Sequence, residues 1–359
     1  MPDRGKTRTP DPLPRPVEEG GAGPGGTETP SAGGPEPSAR FRWPWGANYP
    51  LLVGLLVLGS FVAVAVLSLM VWYPHNIAYL PDHVSHSNVC LPLTPPTLQL
   101  APFSPGAYPL GITGGLGFNV LKGLVMATPW DLAFLTVIVA PAILVGSLVG
   151  TLAGGSGGWV DDALMVLSDV FLAVPEFVVA LLAALVLLNY LPEGDRLWVF
   201  ALVLNLVLWA PYARVVRARA RLVATLPFVE AARAVGASSR RIFTVHLLPN
   251  SVYPVFAQIP TTLATVLLLL GGLQYASLVG DTLLCTGELP TILFPILPSV
   301  NFPEWTWILA NGAYGWVPSS TVNPWWGAIF PALWILLFGL GVTLTCDGLN
   351  QFFSREQRR

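Results

Sequence analysis

The residues whose types and spacing point most clearly to a function lie in one polar segment, Leu226 to Asn250, which reads LPFVEAARAVGASSRRIFTVHLLPN. Its charged side chains are Glu230, Arg233, Arg240 and Arg241. These residues lack the spacing of a nucleophilic, metal-binding or phosphate-binding motif. The polar segment therefore either contacts a partner protein or is a basic loop that fixes the orientation of its neighbours.

The order of residues in the polar segment predicts two short helices joined by a tight turn. Pro227 suits the first helical turn, because the N–H that proline lacks would have no partner there. Gly236 suits the position just past this helix, where glycine adopts a left-handed backbone at little cost. Ser238 and Ser239 can cap a second helix, which is expected to end toward Pro249.

A nucleotide site is not expected in this chain. The triplet Gly5-Lys6-Thr7 resembles the end of a phosphate loop, but the first glycine of that loop would fall before the chain start. The other lysine, Lys122, is not followed by Ser or Thr. We expect no bound cofactor and no enzymatic activity, and any ATP hydrolysis must come from a partner.

The composition is that of a membrane protein, with 53% hydrophobic and 11% charged residues among 359. The net charge of −2 gives no indication of nucleic acid, and no nucleic-acid partner is expected. Six apolar runs approach the roughly 20 residues that cross a bilayer, which predicts an all-α polytopic membrane protein with six transmembrane helices. The predicted spans are about 51–73, 130–153, a run after Pro175 that ends near Tyr190, 197–213, 251–273 and 325–346.

Arginine placement predicts the orientation, since Lys and Arg collect on the cytoplasmic side. Most arginines of the apolar region lie in the loop between the fourth and fifth predicted spans, and this loop includes the polar segment. The loop between the second and third spans is an exception, because it carries Asp161 and Asp162 but no Lys or Arg. Both termini are expected to be cytoplasmic, in a protein integral to a prokaryotic inner membrane.

These features divide the chain into four parts. The parts are a cytoplasmic tail at 1–45, the first transmembrane helix and the start of a long extracellular loop at 46–107, a core at 108–354 with an extracellular insertion at 276–323, and a cytoplasmic tail at 355–359. The tail at 1–45 is rich in Pro and Gly and is expected to be disordered. The long loops at 74–129 and 276–323 are expected to form a small extracellular cap together.

Five polar side chains fall within or beside the predicted spans, and each has two interpretations. Asp169 and Glu176 are seven residues apart and so share one side of a predicted helix; they either pair with Arg214 or Arg217, or serve as a gate or proton relay. Asn205, Gln258 and Gln274 either line a translocation path or hydrogen-bond between helices.

Histidines and cysteines of the outer loops could in principle form a metal site or a disulfide. His75, His83 and His86 lie near Cys90, but their spacing matches no closed zinc pattern, and no metal site is predicted. Cys90 and Cys285 both fall on predicted extracellular loops, so a disulfide between them is possible in an oxidising compartment.

The polar segment resembles the EAA loop of ABC importer permeases, and its HLLPN ending is similar to that of the peptide and nickel branch, specifically its dipeptide permease C type. Further similar stretches are Tyr108-Pro109-Leu110-Gly111, GGWVDDALMVLSDVFLAVP (157–175), WAPYARVVRARA (209–220), PEWTWILANG (303–312) and WWGAIFPALWILLFGLGVTLTCDGLN (325–350). Phe118 and Asn119 stand where that branch has Arg and Asp. The resemblance implies a type I ABC importer permease fold, with 108–354 as the permease core.

The resemblance also implies a mechanism and a set of partners. The polar segment would couple the permease to an ATPase through Glu230, Ala231, Ala232, Gly236, His246, Leu248 and Pro249. The partners would be a homologous second permease, two cytoplasmic ATPases that hydrolyse ATP, an extracellular substrate-binding protein and membrane lipid. An ion-driven transporter that uses Asp169 and Glu176 is the alternative. Dipeptides, oligopeptides, nickel chelates and oligosaccharides all remain open as substrates.

Overall fold

The computed structural model describes residues 48–72, 109–111, 119–183, 193–286, 304–314 and 325–356. Regular secondary structure in these ranges is helical, as the composition predicts. The helices are α1 Tyr49–Leu67, extended by a π-helical stretch Ser68–Trp72, α2 Val120–Ser156, α3 Gly158–Ala173, α4 Glu176–Leu182, α5 Glu193–Ala224, α6 Pro227–Ala234, α7 Ser239–Arg241, a π-helical stretch Ile242–Leu247, α8 Leu248–Ser251, α9 Val255–Thr286, α10 Trp305–Tyr314 and α11 Trp326–Glu356.

Five of these helices are long and apolar enough to cross a membrane, and α3 with α4 makes a sixth candidate. The number of spans agrees with the sequence prediction, but several helices are longer than predicted. α2 begins at Val120 rather than near Trp130, α5 continues beyond residue 213 to Ala224, and α11 continues to Glu356. Hydrophobicity predicts only the apolar part of a helix. The helix itself continues beyond that part for as long as its backbone hydrogen bonds are made.

The third span is broken, and this corrects the prediction that Asp169 and Glu176 share one helical face. The axes of α3 and α4 differ by 69°. Val174 and Pro175 between them have extended backbone, with ψ of 123° and 122°. Proline disfavours helical backbone at the residue before it, so Asp169 lies on α3, which ends at Ala173, and Glu176 begins α4.

Three glycines hold α2 directly against α5. At Gly146, Gly150 and Gly154 an added Cβ would lie within 2.6 Å of a backbone carbonyl oxygen of α5. Real side chains do not approach this closely, so only glycine permits the contact. We call this set of contacts the glycine seam. Small residues allow such close backbone packing in membrane helices, and α2 and α5 therefore form one rigid pair.

A second close pair joins the first and last helices. A Cβ on Gly54 would lie 2.4 Å from the backbone nitrogen of Thr345, and one on Gly348 would lie 2.5 Å from the Cβ of Leu51. The side-chain amide of Asn48 donates to the carbonyl oxygen of Gly348 at 2.7 Å. The pair α1–α11 is thus packed through glycines, as α2–α5 is.

The region predicted as an extracellular insertion, 276–323, contains a core helix. α9 continues into it as far as Thr286, and α10 lies within it. Trp305 on α10 is fully buried. Its ring packs edge-to-face on Phe61 and Phe338, with centroids 5.7 and 5.1 Å apart. This part of the insertion therefore fills the contact between the two pairs rather than forming a separate cap.

Candidate functional site

The polar segment has the local structure that its sequence predicts. Pro227 is the first residue of α6. Gly236, with φ of 83°, follows the helix end. Its N–H donates to the Arg233 carbonyl, and the N–H of Ala237 donates to the Ala232 carbonyl, both at 3.0 Å. This pair of bonds is the Schellman arrangement that satisfies terminal carbonyls of a helix.

The second helix of the polar segment is less regular than predicted. The Ser238 hydroxyl accepts from the backbone N–H of Arg241 at 3.4 Å, which is the predicted cap. Three residues of α7 then pass into a π-helical stretch before α8 begins. The Asn250 side-chain amide donates to the carbonyl oxygen of His246 at 2.7 Å. The first and last residues of the HLLPN ending are thus joined by a hydrogen bond. The His246 ring packs against Phe228, with ring centroids 6.0 Å apart.

α6 is largely exposed and packs on the rest of the polar segment through Val229 and Phe228. Val229 is fully buried in a small cluster with Val223, Ile242 and Leu247. Glu230, Ala231 and Gly236 are exposed, Ala232 is half-buried, and Val235 is 85% exposed. A short helix that presents an acid, small residues and apolar side chains has the composition of a docking surface.

A cleft of about 500 Å³ opens beside α6. One wall is the end of α2, and the other wall carries two arginines of the polar segment. Its lining includes Gly155, Ser156, Arg233, Arg240 and Phe243. The cleft places two guanidinium groups next to the projecting helix.

α3 and α5 are joined by ion pairs near the end of α5 that precedes the polar segment. Asp161 is 1% exposed and accepts from Arg217 Nε at 2.5 Å and Arg217 Nη2 at 3.0 Å. It also accepts from Arg221. In the sequence, Asp161 is an acid whose own loop contains no Lys or Arg. Its bases come from α5, which the sequence order does not reveal.

The predicted path residues mostly join helices. Asn205 donates from its side-chain amide to the carbonyl oxygens of Val137 on α2 at 3.2 Å and Ala201 at 3.0 Å. Gln274 is buried and hydrogen-bonds Glu304. Gln258 is half-buried near the start of α9. For Asn205, the interpretation as an interhelical hydrogen bond is confirmed.

The two acids of the broken span have different surroundings. Asp169 pairs with Arg214, and both side chains are 58% exposed, so the predicted pairing is confirmed for this residue. Glu176 is half-buried at the start of α4. The structure does not bring Asp169 and Glu176 onto one helical face as a relay would require.

A buried acid pair, Asp131 and Glu304, was missed by sequence analysis. Asp131 lies on α2 and Glu304 directly precedes α10, and they are 1% and 7% exposed. Burial raises the pKa of Glu304 to about 7. The available signal was that Asp131 is the one acidic residue between 120 and 156. The predicted span began near Trp130, so Asp131 stood next to its start and was not singled out.

Several predicted residues lie outside the described residues or have undescribed side chains. His75, His83, His86 and Cys90 fall in an undescribed range, and Cys285 lies on α9 where no side chain is described. The Cys90–Cys285 disulfide therefore stays a prediction. Cys346 is a free, buried thiol.

Comparison with known proteins gives a consistent result. The family model described as "Binding-protein-dependent transport system inner membrane component" matches residues 146–351. The "Probable D,D-dipeptide transport system permease protein" of Escherichia coli K12 is 26% identical over 84% of this chain and 87% of its own length. A dipeptide transport system permease of Alkalihalophilus pseudofirmus is 23% identical over 92% and 96%. A glutathione transport system permease of Pectobacterium atrosepticum is 27% identical over 68% and 71%.

The helical bundle with its projecting short helix defines a polytopic membrane permease. More than half of the chain matches the family model, and the chain belongs to the family of binding-protein-dependent transport system inner membrane components. Its fold is the type I ABC importer permease fold, and it is an integral inner-membrane protein. The family is one of transport permeases rather than enzymes.

Proposed function

We propose that this chain forms half of the translocation pathway of an ATP-driven importer, and that α6 couples it to a cytoplasmic ATPase. The observation that carries the proposal is the exposure of α6. Val229 anchors the helix, while Glu230, Ala231 and Ala232 are left for a partner surface. Small side chains allow close approach of the partner, and Glu230 supplies a charge for pairing.

Motion of α6 would pass into the bundle through α5. α5 ends at Ala224 and α6 begins at Pro227, so two residues separate them. α5 is held to α2 by the glycine seam and to α3 by Asp161. A displacement of α6 by an ATPase would therefore move α2, α3 and α5 together. His246, Leu248 and Pro249 would carry the same displacement toward α9.

The remaining parts of the proposal concern partners and substrate. Two cytoplasmic ATPases would hydrolyse ATP, while this chain binds no cofactor. A homologous permease would supply the other half of the pathway, and an extracellular binding protein would deliver the solute. Relatives named for transport of dipeptides and glutathione favour peptides or related small solutes. Both termini and the polar segment would face the cytoplasm.

A pair of glycine substitutions tests the coupling role of the polar segment. Gly236 and Gly157 both have positive φ, 83° and 64°, and an added side chain at either site would meet no atom within 4 Å. Valine at Gly236 therefore introduces backbone strain of about 1–2 kcal/mol without a clash. Valine at Gly157, whose ψ of −179° lies in a region that is essentially restricted to glycine, introduces at least as much strain. We expect Gly236→Val to lower ATP-driven uptake about tenfold, the effect of roughly 1.4 kcal/mol on an equilibrium. Gly157→Val, which strains a turn outside the polar segment, serves as the control.

Uptake of a labelled peptide mixture is measured in cells that carry the complete transport system, with membrane insertion checked by immunoblotting. Normal uptake by Gly236→Val would reject the coupling role. Vanadate, which inhibits the ATPases, is added in a parallel arm. Uptake that resists vanadate but collapses with a protonophore would instead identify an ion-driven transporter.

A further inference from the structure

The start of α10 brings two carboxyl groups together inside the bundle. Asp131 Oδ2 accepts a hydrogen bond from the backbone N–H of Trp305 at 2.9 Å. Glu304 is the residue just before Trp305, and it is close enough to Asp131 for the two carboxyl groups to repel each other when charged. Both residues are more than nine-tenths buried. We call Asp131 and Glu304 the acid pair.

One carboxyl oxygen of the acid pair is left without a hydrogen-bond partner. The Gln274 side chain hydrogen-bonds Glu304, but Glu304 Oε2 is buried and unpartnered among the described residues. A buried acceptor without a partner costs about 1–3 kcal/mol, and more when it is charged. A proton on the pair removes one negative charge and supplies a donor for this oxygen.

The surrounding helices present few groups that could neutralise two carboxylates. α1 and α11 present the rings of Phe61 and Phe338 to Trp305. Lys122, on α2, is nine residues before Asp131, which is two and a half turns and so the opposite side of the helix. α9 presents Gln274. The remaining titratable or charged residues on these five helices are Tyr49, Tyr275, Asp281, Cys285, Tyr314, Cys346, Asp347, Arg355 and Glu356.

None of these remaining residues places a described basic group at the acid pair. Tyr275 follows Gln274 but is 50% exposed, so its side chain points away from the core. Tyr49 and Asp347 lie at the ends of α1 and α11 that are joined by Asn48 and Gly348, nine or more residues from the rings that touch Trp305. Arg355 lies further still along α11, and its side chain is outside the described set.

We propose that Asp131 and Glu304 form a proton-binding site, which is protonated below neutral pH and so allows α10 to pack against α2. The proton belongs to the pair rather than to either residue. When it leaves, a buried negative charge without a described cation remains where α10 joins α2 to α1 and α11. Burial makes an uncompensated charge strongly unfavourable, so the start of α10 separates from α2.

The sign of the pH dependence follows from the burial of Glu304. Its pKa rises from an ordinary value of 4.5 to about 7. A carboxyl group with a raised pKa in the folded state binds more protons folded than unfolded. Its stabilising contribution is therefore complete below pH 4.5 and is lost as pH rises through 7. With a midpoint near 7, occupancy falls from about 90% at pH 6 to about 10% at pH 8.

The test uses the purified full chain in lipid nanodiscs and does not depend on transport. Apparent melting temperature and hydrogen exchange of the α10 amides are followed between pH 6 and 8.5. We expect the wild type to melt at lower temperature and α10 to exchange faster as pH rises. Glu304→Gln removes the group that titrates near neutral pH and should flatten both profiles, whereas Asp131→Asn leaves Glu304 buried and should keep a pH dependence of the same sign. Asp162→Asn removes an exposed acid and should keep the wild-type profile.

Three results would overturn the proposal. The first is a wild-type profile that is flat across this range, and the second is a Glu304→Gln profile as steep as that of the wild type. The third is stabilisation of the wild type, but not of Glu304→Gln, by Ca²⁺ or Na⁺ at pH 8, which would identify a cation as the ligand. If neither variant folds, infrared spectroscopy of the wild type decides: a protonated carboxyl band present at pH 6 and lost by pH 8.5 supports the site, and its absence at pH 6 rejects it.

Discussion

Two buried acids at opposite ends of α2, Asp161 and Asp131, are accommodated in opposite ways. Asp161, just beyond the end of α2, accepts hydrogen bonds from Arg217 and Arg221 on α5. Asp131, near the start of α2, lies beside a second acid, Glu304. At 1.5 Å per residue, about 35 Å of helix separates Asp131 from Gly154, which packs on Arg217.

This contrast shows that burial alone does not define the role of a carboxylate. Asp161 is 1% exposed, but its two arginines supply a compensating charge of opposite sign. Breaking such a pair leaves an uncompensated buried charge, whereas the intact pair is insensitive to pH near neutrality. The acid pair has a described partner amide but no described cation, and it therefore needs a proton. The end of the bundle at Asp161 is therefore held by ion pairs, and we call it the locked end. The end at the acid pair responds to pH.

The largest expected effect comes from breaking the locked end. Asp161→Asn removes the charge that Arg217 and Arg221 share, and losing one partner of a buried ion pair costs about 3–5 kcal/mol. Because the arginine side chains are 24% and 52% exposed, water recovers part of this cost and we expect about 2–3 kcal/mol. Chemical unfolding of the purified chain measures the change, with Asp162→Asn as the neighbouring exposed control. A loss equal to that of the control would show that α3 is held by apolar contacts alone.

A second prediction tests whether α2 carries both acids as one rigid helix seated on α5. At Gly150 an added Cβ would lie 2.4 Å from the Ala213 carbonyl oxygen, so Gly150→Ala must separate α2 from α5. Overpacking of this kind costs about 1–3 kcal/mol. At Gly59 on α1 an added Cβ meets no atom within 4 Å, and Gly59→Ala is the matched control. Equal melting temperatures for the two variants would contradict the seam.

The same contrast explains how much of the molecule could be predicted from sequence. The turn at Gly236, the cap at Ser238 and the start of α6 at Pro227 depend on neighbouring residues, and local rules predicted all three. The number of spans also followed from hydrophobic length. The break at Pro175 had a local signal in the proline itself, which the span prediction used only as a boundary.

The rest depends on contacts between residues distant in the chain. Asp161 meets arginines 56 and 60 positions away, and Trp305 donates to Asp131 across 174 positions. No local pattern encodes such pairings. α10 fell within the predicted outer loop 276–323, and its ten residues are too few to cross a membrane. Its buried position follows only from the packing of α1, α2, α9 and α11 around it.

The smallest effect is expected from Asp169→Asn, which tests whether burial or arginine pairing makes an acid important at the locked end. Asp169 pairs with Arg214 as Asp161 pairs with Arg217, but both of its partners are 58% exposed. Water and salt screen such pairs, and exposed ion pairs contribute about 0.2–1 kcal/mol. We expect Asp169→Asn to change the free energy of unfolding by about 0.5 kcal/mol or less, with the difference vanishing in high salt. A loss comparable to that of Asp161→Asn would mean that pairing, rather than burial, makes an acid essential at this end of the bundle.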